Sequence, residues 1–444
     1  MDKMTVEVDN YPPRSVAYYL IAVLMLVTLS SQLDRNITSL LVDPISQELG
    51  LDDVQMSIIH GLGFAIVYSL AGLPFGYLVD RTNRRRIILV GLLFWSVSAV
   101  LCGFAQNFWQ LLIARLGVGV GEACLAPAAY SMIADSVPNK IRGRALAVYY
   151  SSLTIGQGLS LVIGGLILAS LPPIVKFPVI NLDLEEWRVV FIAVGLPGIL
   201  LSLLVLTIRE PKRIVTAYDM ELADRGLNIS EFLRFVGARG KLFFLLLFPY
   251  CVIGFVAWGM SAWAPTLLHR RFGTDLAEVG QLVGVSALTA GLAGAYMGGY
   301  LSDRIASWDR FGSRYGVCLI SAIVMLPFAA IWPFGSSIWT VLAGFWITIF
   351  AAIVSLSGAA AAIQDVVPNR MRGQAIALYM LTAGILALGL GPTVVALATK
   401  FIFSGPNSLA AALVLVALPS LAAVSIVSLY GLRHYVEARN NLLT

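Results

Sequence analysis

A chain of 444 residues that is 58% hydrophobic and only 12% charged has too little polar surface to cover itself as a water-soluble globule. Its mean hydropathy of +0.84 places it in a bilayer, where the net charge of +5 reports loop topology rather than an anionic macromolecular partner. No Gly-rich phosphate loop ending in Lys-Ser/Thr is present, and His60, His269 and His434 are too dispersed for a metal or nucleophile–base arrangement, so neither an ATP-driven pump nor an enzyme is expected. Basic residues spread over loops also argue against nucleic acid.

The start, MDKMTVEVDNYPPR, is acidic and proline-bearing and lacks the basic n-region of a cleavable signal, so the first apolar run is expected to stay as a helix. Apolar stretches punctuated by Gly, Pro and charge then predict twelve membrane helices at 17–41, 56–79, 87–105, 108–133, 145–171, 189–208, 242–268, 279–301, 317–333, 337–363, 375–400 and 409–432. An even number puts both termini on one side. Of the 30 Lys and Arg, 23 fall in loops on that side. Only Lys176, Arg188, Arg270, Arg271 and Lys400 lie opposite, and Arg35 and Arg115 lie within the membrane. The bias predicts cytoplasmic termini in a cell (inner) membrane. Cys102, Cys124, Cys251 and Cys318 lie far apart in or near apolar runs and read as packing residues, not disulfides or metal ligands.

The chain repeats itself at about half its length. GYLVDR at Gly76–Arg81 recurs as GYLSDR at Gly299–Arg304, and DSVPNKIRG at Asp135–Gly143 recurs as DVVPNRMRG at Asp365–Gly373. Each pair falls in an equivalent loop, so the fold class is an all-α membrane protein of two pseudo-symmetric six-helix halves, 1–208 and 242–444. The charged stretch 209–241 joins them as a linker on the terminus side, with a short helix near 230–236. Parallel halves of this kind place a substrate between them near the bilayer midplane.

Four charges sit where charge is costly. Asp34 and Arg35 lie deep in the first span, and Arg115 and Glu122 lie on one face of the fourth, about 10 Å apart along the axis. Counted from opposite ends of their helices, Asp34 and Arg115 share one half of the bilayer, so Asp34 is expected to pair with Arg115 or Arg35. A carboxylate in a low-dielectric cavity favours its neutral form and a nearby Arg opposes this, so moving the Arg changes proton affinity. Asp34 and Glu122 are therefore the expected titrating groups, with Arg35 and Arg115 setting their affinities or binding an anionic headgroup. A static ion-pair network that fixes packing is the structural alternative.

The loop Gly76-Tyr-Leu-Val-Asp80-Arg81-Thr-Asn83-Arg84-Arg85 offers a glycine for close helix approach, an acid for a helix N-terminus and arginines for C-terminal carbonyls. With its second copy at Asp303 and Arg304, it reads as a conformational-switch loop. It resembles the signature of the major facilitator superfamily, with Asn83 in place of a glycine, and the resemblance covers nearly the whole chain. Arg115-Leu-Gly-Val-Gly119 is similar to the family's helix-four motif, whose arginine is linked to proton coupling. Helix five lacks the Gly-Pro pair of the drug antiporters.

Leu33-Asp34-Arg35-Asn36 and the stretch Gly119–Tyr150 resemble the Spinster-like branch, which moves lysolipids and sphingoid lipids; the organic-anion branch shares the Asp-Arg pair and the Gly-Glu-Ala of helix four. The resemblance implies coupling roles for Asp34, Arg35 and Glu122. Tyr250, Phe255, Trp258 and Trp263 in helix seven, Ser355 and Ser357 in helix ten and Gln157 in helix five are expected to line the cavity, whereas His60 is expected at the membrane interface. The reading is a proton-driven, cofactor-free and monomeric transporter of an amphiphilic lipid or drug-like molecule by alternating access. A proton-coupled symporter of a small organic anion is the alternative.

Overall fold

Inside hydrocarbon every backbone N–H and C=O must be paired within its own segment, so each apolar run of membrane length folds as a helix. The computed structural model describes residues 11–177, 182–213, 229–306, 314–368 and 371–443. Among them are twelve helices long and apolar enough to cross a membrane: Arg14–Ser39, Asp53–Arg81, Arg84–Cys102, Phe108–Ala134, Lys140–Ser170, Glu186–Thr207, Gly240–Phe272, Leu276–Ser302, Arg314–Phe334, Ile338–Asp365, Arg372–Phe401 and Ser408–Asn440. We number them one to twelve. Their ends lie within a few residues of expectation, except that helix twelve runs on to Leu443. The linker holds the expected short helix, Ile229–Ala238. An antiparallel hairpin of Ile174–Phe177 with Leu182–Glu185, between helices five and six, has no counterpart in the sequence reading.

The repeat is written into the ion pairs. Arg84 pairs with Asp135 at the start of helix three, and Arg314 pairs with Asp365 at 2.8 Å at the start of helix nine. Arg142 donates to the Ala134 carbonyl at 2.9 Å, and Arg372 to the Gln364 carbonyl at 3.1 Å. Every member is displaced from its counterpart by 230 residues.

The halves meet along two seams. Helices five and eight touch backbone to backbone: a Cβ on Gly158 would lie 2.6 Å from Leu288 Cβ, and one on Gly284 would lie 2.7 Å from the Gly158 carbonyl oxygen. Helices two and eleven meet through irregular segments, Ile58–Leu62 and Gly384–Leu390, both wound as π-helix. Away from the termini, ion pairs tie the halves together. Arg270 of helix seven bridges Asp43 and Asp53, each at 2.7 Å, and Lys400 of helix eleven reaches Asp52 at 2.7 Å.

At the terminus-side end the repeat glycines do not pack. A Cβ on Gly76, Gly299, Gly143 or Gly373 would meet no atom within 4 Å, so the close approach expected at Gly76 is not made in this state. The expected helix-terminus contacts are redistributed as well. Glu210, not Asp80, receives the N–H groups at the start of helix three, from Arg84 at 3.3 Å and Arg85 at 2.9 Å. Arg213 donates to the carbonyls ending helix two, including Val79 at 2.6 Å and Thr82 at 2.8 Å. Arg85 does bond the helix-six end, at the Ile208 carbonyl, 3.0 Å. Arg81 stacks on Tyr77, and Arg304 bonds Tyr300 at 2.5 Å; the Asp303 side chain lies outside the described residues. Asn83, which stands in place of the signature's glycine, caps helix three, accepting from the Arg86 N–H at 2.9 Å with φ at −75°.

Candidate functional site

The α-helical part of helix one ends at Asn36 and continues as the 3-10 turn Ile37–Ser39, which leaves its last carbonyls short of regular partners. Arg115 supplies them, donating from Nη1 to the Asp34 carbonyl at 2.8 Å and from Nη2 to the Arg35 carbonyl at 3.2 Å. Helix four breaks after Glu122, because Pro127 has no N–H for the Ala123 carbonyl and its ring crowds it. Glu122 is the last residue before the break and lies on the same helical face as Arg115, toward helix one. There its Oε2 accepts from Arg35, at 2.7 Å from Nη2 and 3.2 Å from Nε.

All four charges thus converge, but not in the expected pairs. Arg35 takes Glu122, Arg115 takes backbone, and the Asp34 carboxylate takes no cation in a hydrogen bond. Asp34 is 1% exposed with neither oxygen hydrogen-bonded, and the equally unpartnered indole N–H of Trp95 stands beside it. Trp95 is held there by the close crossing of helices three and four, where a Cβ on Gly121 would lie 2.7 Å from Trp95 Cβ. The backbone demand at the helix-one break explains the exchange of partners, since it lies nearer the Arg115 fork than any side-chain acid.

Arg35 also stacks against Phe64 at 4.7 Å and Tyr68 at 4.6 Å, themselves stacked at 5.6 Å. These rings shield one face of the guanidinium from water and keep it flat against helix two.

Beside this cluster lies a cavity of about 140 Å³ between the halves. Its two walls differ. The N-terminal half contributes Arg35, Asn36, Ser39, His60, Thr154 and Gln157, with only Leu161 apolar. The C-terminal half contributes Trp258, Val283, Phe345, Ile349, Ile353 and Leu388 among others, with Ser261 its one hydroxyl. Of the expected lining, Trp258 and Gln157 are in place. Tyr250 is buried in a cluster with Tyr315 and Tyr379, Phe255 faces an apolar groove between helices seven, eleven and twelve, and Trp263 is fully buried, donating to the Pro392 carbonyl at 2.9 Å. Ser355 is 1% exposed, and Ser357 bonds its own helix at the Val354 carbonyl, 3.0 Å. Aromatic content in a membrane helix does not tell the cavity face from the packing face, and helix seven has both.

The sequence reading missed Asn36, Ser39, Thr154 and Ser261 and misplaced His60. The signal for Asn36 and Ser39 was their position beside Arg35. His60 is expected at the interface from its depth near the outer end of helix two; it is instead 7% exposed and lines the cavity, within the π-helical turn Ile58–Leu62.

The model of the Major Facilitator Superfamily matches residues 24–392. Among characterised proteins the chain is 28% identical to an MFS-type efflux pump of Mycolicibacterium smegmatis, over 72% of this chain and 70% of the pump. It is 28% identical to a probable L-galactonate transporter of Escherichia coli, over 61% of this chain and 58% of that protein. It is 26% identical to protein spinster homolog 1 of Xenopus tropicalis, over 70% of this chain and 58% of that protein. The chain therefore spans a little over half the length of the last two. A crystal structure of a bacterial homolog to the human lysosomal transporter Spinster, in an inward-facing and unoccupied conformation, superposes with a TM-score of 0.77 at 25% identity, over 97% of this chain and 98% of that one.

Proposed function

Given that this chain belongs to the major facilitator superfamily, a group of transporters rather than enzymes, we propose that it is of the Spinster-like branch and moves an amphiphile with an anionic head by proton-coupled alternating access. The observation that carries this reading is the two-walled cavity. An anionic head fits against Arg35 and the polar wall, while an apolar body fits against the wall of helices seven, eight, ten and eleven. A ligand polar on every side would strand hydroxyls against that second wall, and each unpaired buried polar group costs about 1–3 kcal/mol.

Coupling follows from the shared guanidinium. Glu122 occupies the Arg35 fork, so an anionic head and the Glu122 carboxylate compete for it. A proton on Glu122 releases Arg35, and proton and anion then bind together, which is symport. Asp34, buried beside Arg115 without a hydrogen bond, is the second proton carrier. With cytoplasmic termini, the ion pairs of Arg270 and Lys400 seal the outer side and the unpacked repeat glycines face the cytoplasm, an inward-facing state. The loops at Gly76–Arg85 and Asp303–Arg304 close that side in the opposite state. The protein acts as a monomer in an inner membrane.

A small organic anion such as a sugar acid is the second reading, favoured by the cavity volume of about 140 Å³ and by the galactonate transporter among the relatives. Currents on a solid-supported membrane separate the two. Dodecanoyl lysophosphatidic acid should evoke a current in wild type that Arg35→Gln abolishes. A current with L-galactonate alone would give the cavity to the sugar acid.

A further inference from the structure

At His60, Asn36 and Ser39 of the polar wall the hydrogens are already committed, and their placement limits what can bind beside Arg35. His60 Nδ1 lies 3.0 Å from the Met56 carbonyl oxygen. A carbonyl only accepts, so Nδ1 carries the hydrogen and the neutral imidazole keeps a bare lone pair on Nε2. Nε2 is buried and has no hydrogen-bond partner, in a side chain that lines the cavity. The ring is held from the other half by Trp263, perpendicular at 6.0 Å, whose own N–H is fixed on Pro392.

Its neighbours repeat the pattern. Asn36 Nδ2 lies 2.8 Å from the Gln32 carbonyl and 3.3 Å from Gln32 Oε1, two acceptors that fix the amide with Oδ1 turned away from them. Ser39 spends its hydrogen on the Asn36 carbonyl at 2.8 Å. Around the Arg35 cation, then, the wall presents lone pairs: His60 Nε2, Asn36 Oδ1 and Ser39 Oγ.

We propose that His60 is a specificity residue which accepts a hydrogen bond from an O–H or N–H group on the substrate, so that the transported head carries a hydrogen-bond donor beside its anionic group. The reading rests on the proposed function above. A bare anion such as an alkyl methyl phosphate, a diester with no O–H, satisfies Arg35 and leaves Nε2 unpaired. A hydroxylated or amino-bearing anion satisfies both, and the difference is about tenfold in affinity.

The test is calorimetric titration of the full-length protein in nanodiscs with dodecanoyl lysophosphatidic acid, which has a free hydroxyl, and with dodecyl methyl phosphate, a diester without any O–H. Wild type should bind the first about tenfold more tightly. His60→Leu should erase that preference by weakening lysophosphatidic acid binding about tenfold, with a wild-type detergent-melting temperature to show that the variant is folded. His60→Gln, which restores an acceptor, should recover part of the preference. Equal binding of both probes by wild type, or a preference that survives His60→Leu, would overturn the assignment of His60 and leave the amphiphile reading standing. If neither amphiphile binds and L-galactonate does, the amphiphile reading falls. His60 then keeps its role only if His60→Leu weakens galactonate about tenfold, and loses it otherwise.

Discussion

Replacing Arg270 with alanine should loosen the seam that closes the cavity away from the termini. Arg270 donates from Nε to Asp43 at 2.9 Å, and from Nη1 and Nη2 to the two oxygens of Asp53 at 2.9 and 2.7 Å. Its side chain is 36% exposed, which discounts each pair to roughly 0.5 kcal/mol. The larger part of the effect is Asp43, whose side chain is 8% exposed and would be left as a nearly buried carboxylate without its cation, at about 1–2 kcal/mol. The sum, about 2 kcal/mol, multiplies the fraction open on that face by about thirty. The four native cysteines are free and buried, so a Ser39→Cys reporter in the cavity can be read against a quiet background with a membrane-impermeant thiol reagent. Labelling from the face opposite the termini should accelerate about thirtyfold in Arg270→Ala. It should accelerate less in Asp43→Asn/Asp53→Asn/Arg270→Gln, where no charge is stranded. A rate within twofold of the parent would refute the assignment of this seam as the closed gate.

Two further outcomes follow from the same reasoning. Arg84 is fully buried, with Glu210 at 2.8 Å, Ser131 at 2.9 Å and Asp135 as partners, whereas its counterpart Arg314 has a side chain 27% exposed. Arg84→Met should therefore cost about 3 kcal/mol or more and lower the detergent-melting temperature well beyond the roughly 1 kcal/mol of Arg314→Met; equal losses would contradict the burial argument. Burial raises the Asp52 pKa, but hydrogen bonds from Lys400 and the Gln55 N–H outweigh it and hold the group below its ordinary value near 3.8. A depressed acid stabilises above its unfolded pKa and loses that contribution as pH falls through the folded value, so the Asp52–Lys400 clasp is intact throughout pH 5–8. Lys400→Gln should change gate opening equally at pH 5 and pH 8 in the labelling assay, and a pH-dependent difference would count against it.

The twelve spans and the two-fold plan were legible because both rest on composition: membrane-length apolar runs tolerate few alternatives, and GYLVDR with DSVPNKIRG marks equivalent loops directly. The convergence of Asp34, Arg35, Arg115 and Glu122 was legible as well, since depth along a helix follows from counting. Who pairs with whom was not. Arg115 is claimed by carbonyls freed at the end of the α-helical part of helix one, and backbone demand of that kind has no residue signature. Once Arg115 is taken by backbone, Glu122 on the same face of helix four is left to Arg35, an exchange that depth and face alone do not decide. Depth alone likewise placed His60 at the interface and could not show that the face it occupies on helix two looks into the cavity. Helix seven shows the limit of aromatic content as a guide: Trp258 lines the cavity, while Tyr250, Phe255 and Trp263 serve packing, a side groove and the seam with helix eleven.

The central claim is that Glu122 and an anionic head share Arg35, with protons as the currency. It is tested most directly in proteoliposomes carrying an internal pH dye, driven by a gradient of dodecanoyl lysophosphatidic acid. Wild type should move protons with the substrate; Asp34→Asn and Glu122→Gln should lose the proton signal, and Glu122→Gln, with Arg35 released, should still exchange substrate across the membrane. Proton movement of wild-type size in both variants would contradict the account and leave the four charges as a packing network.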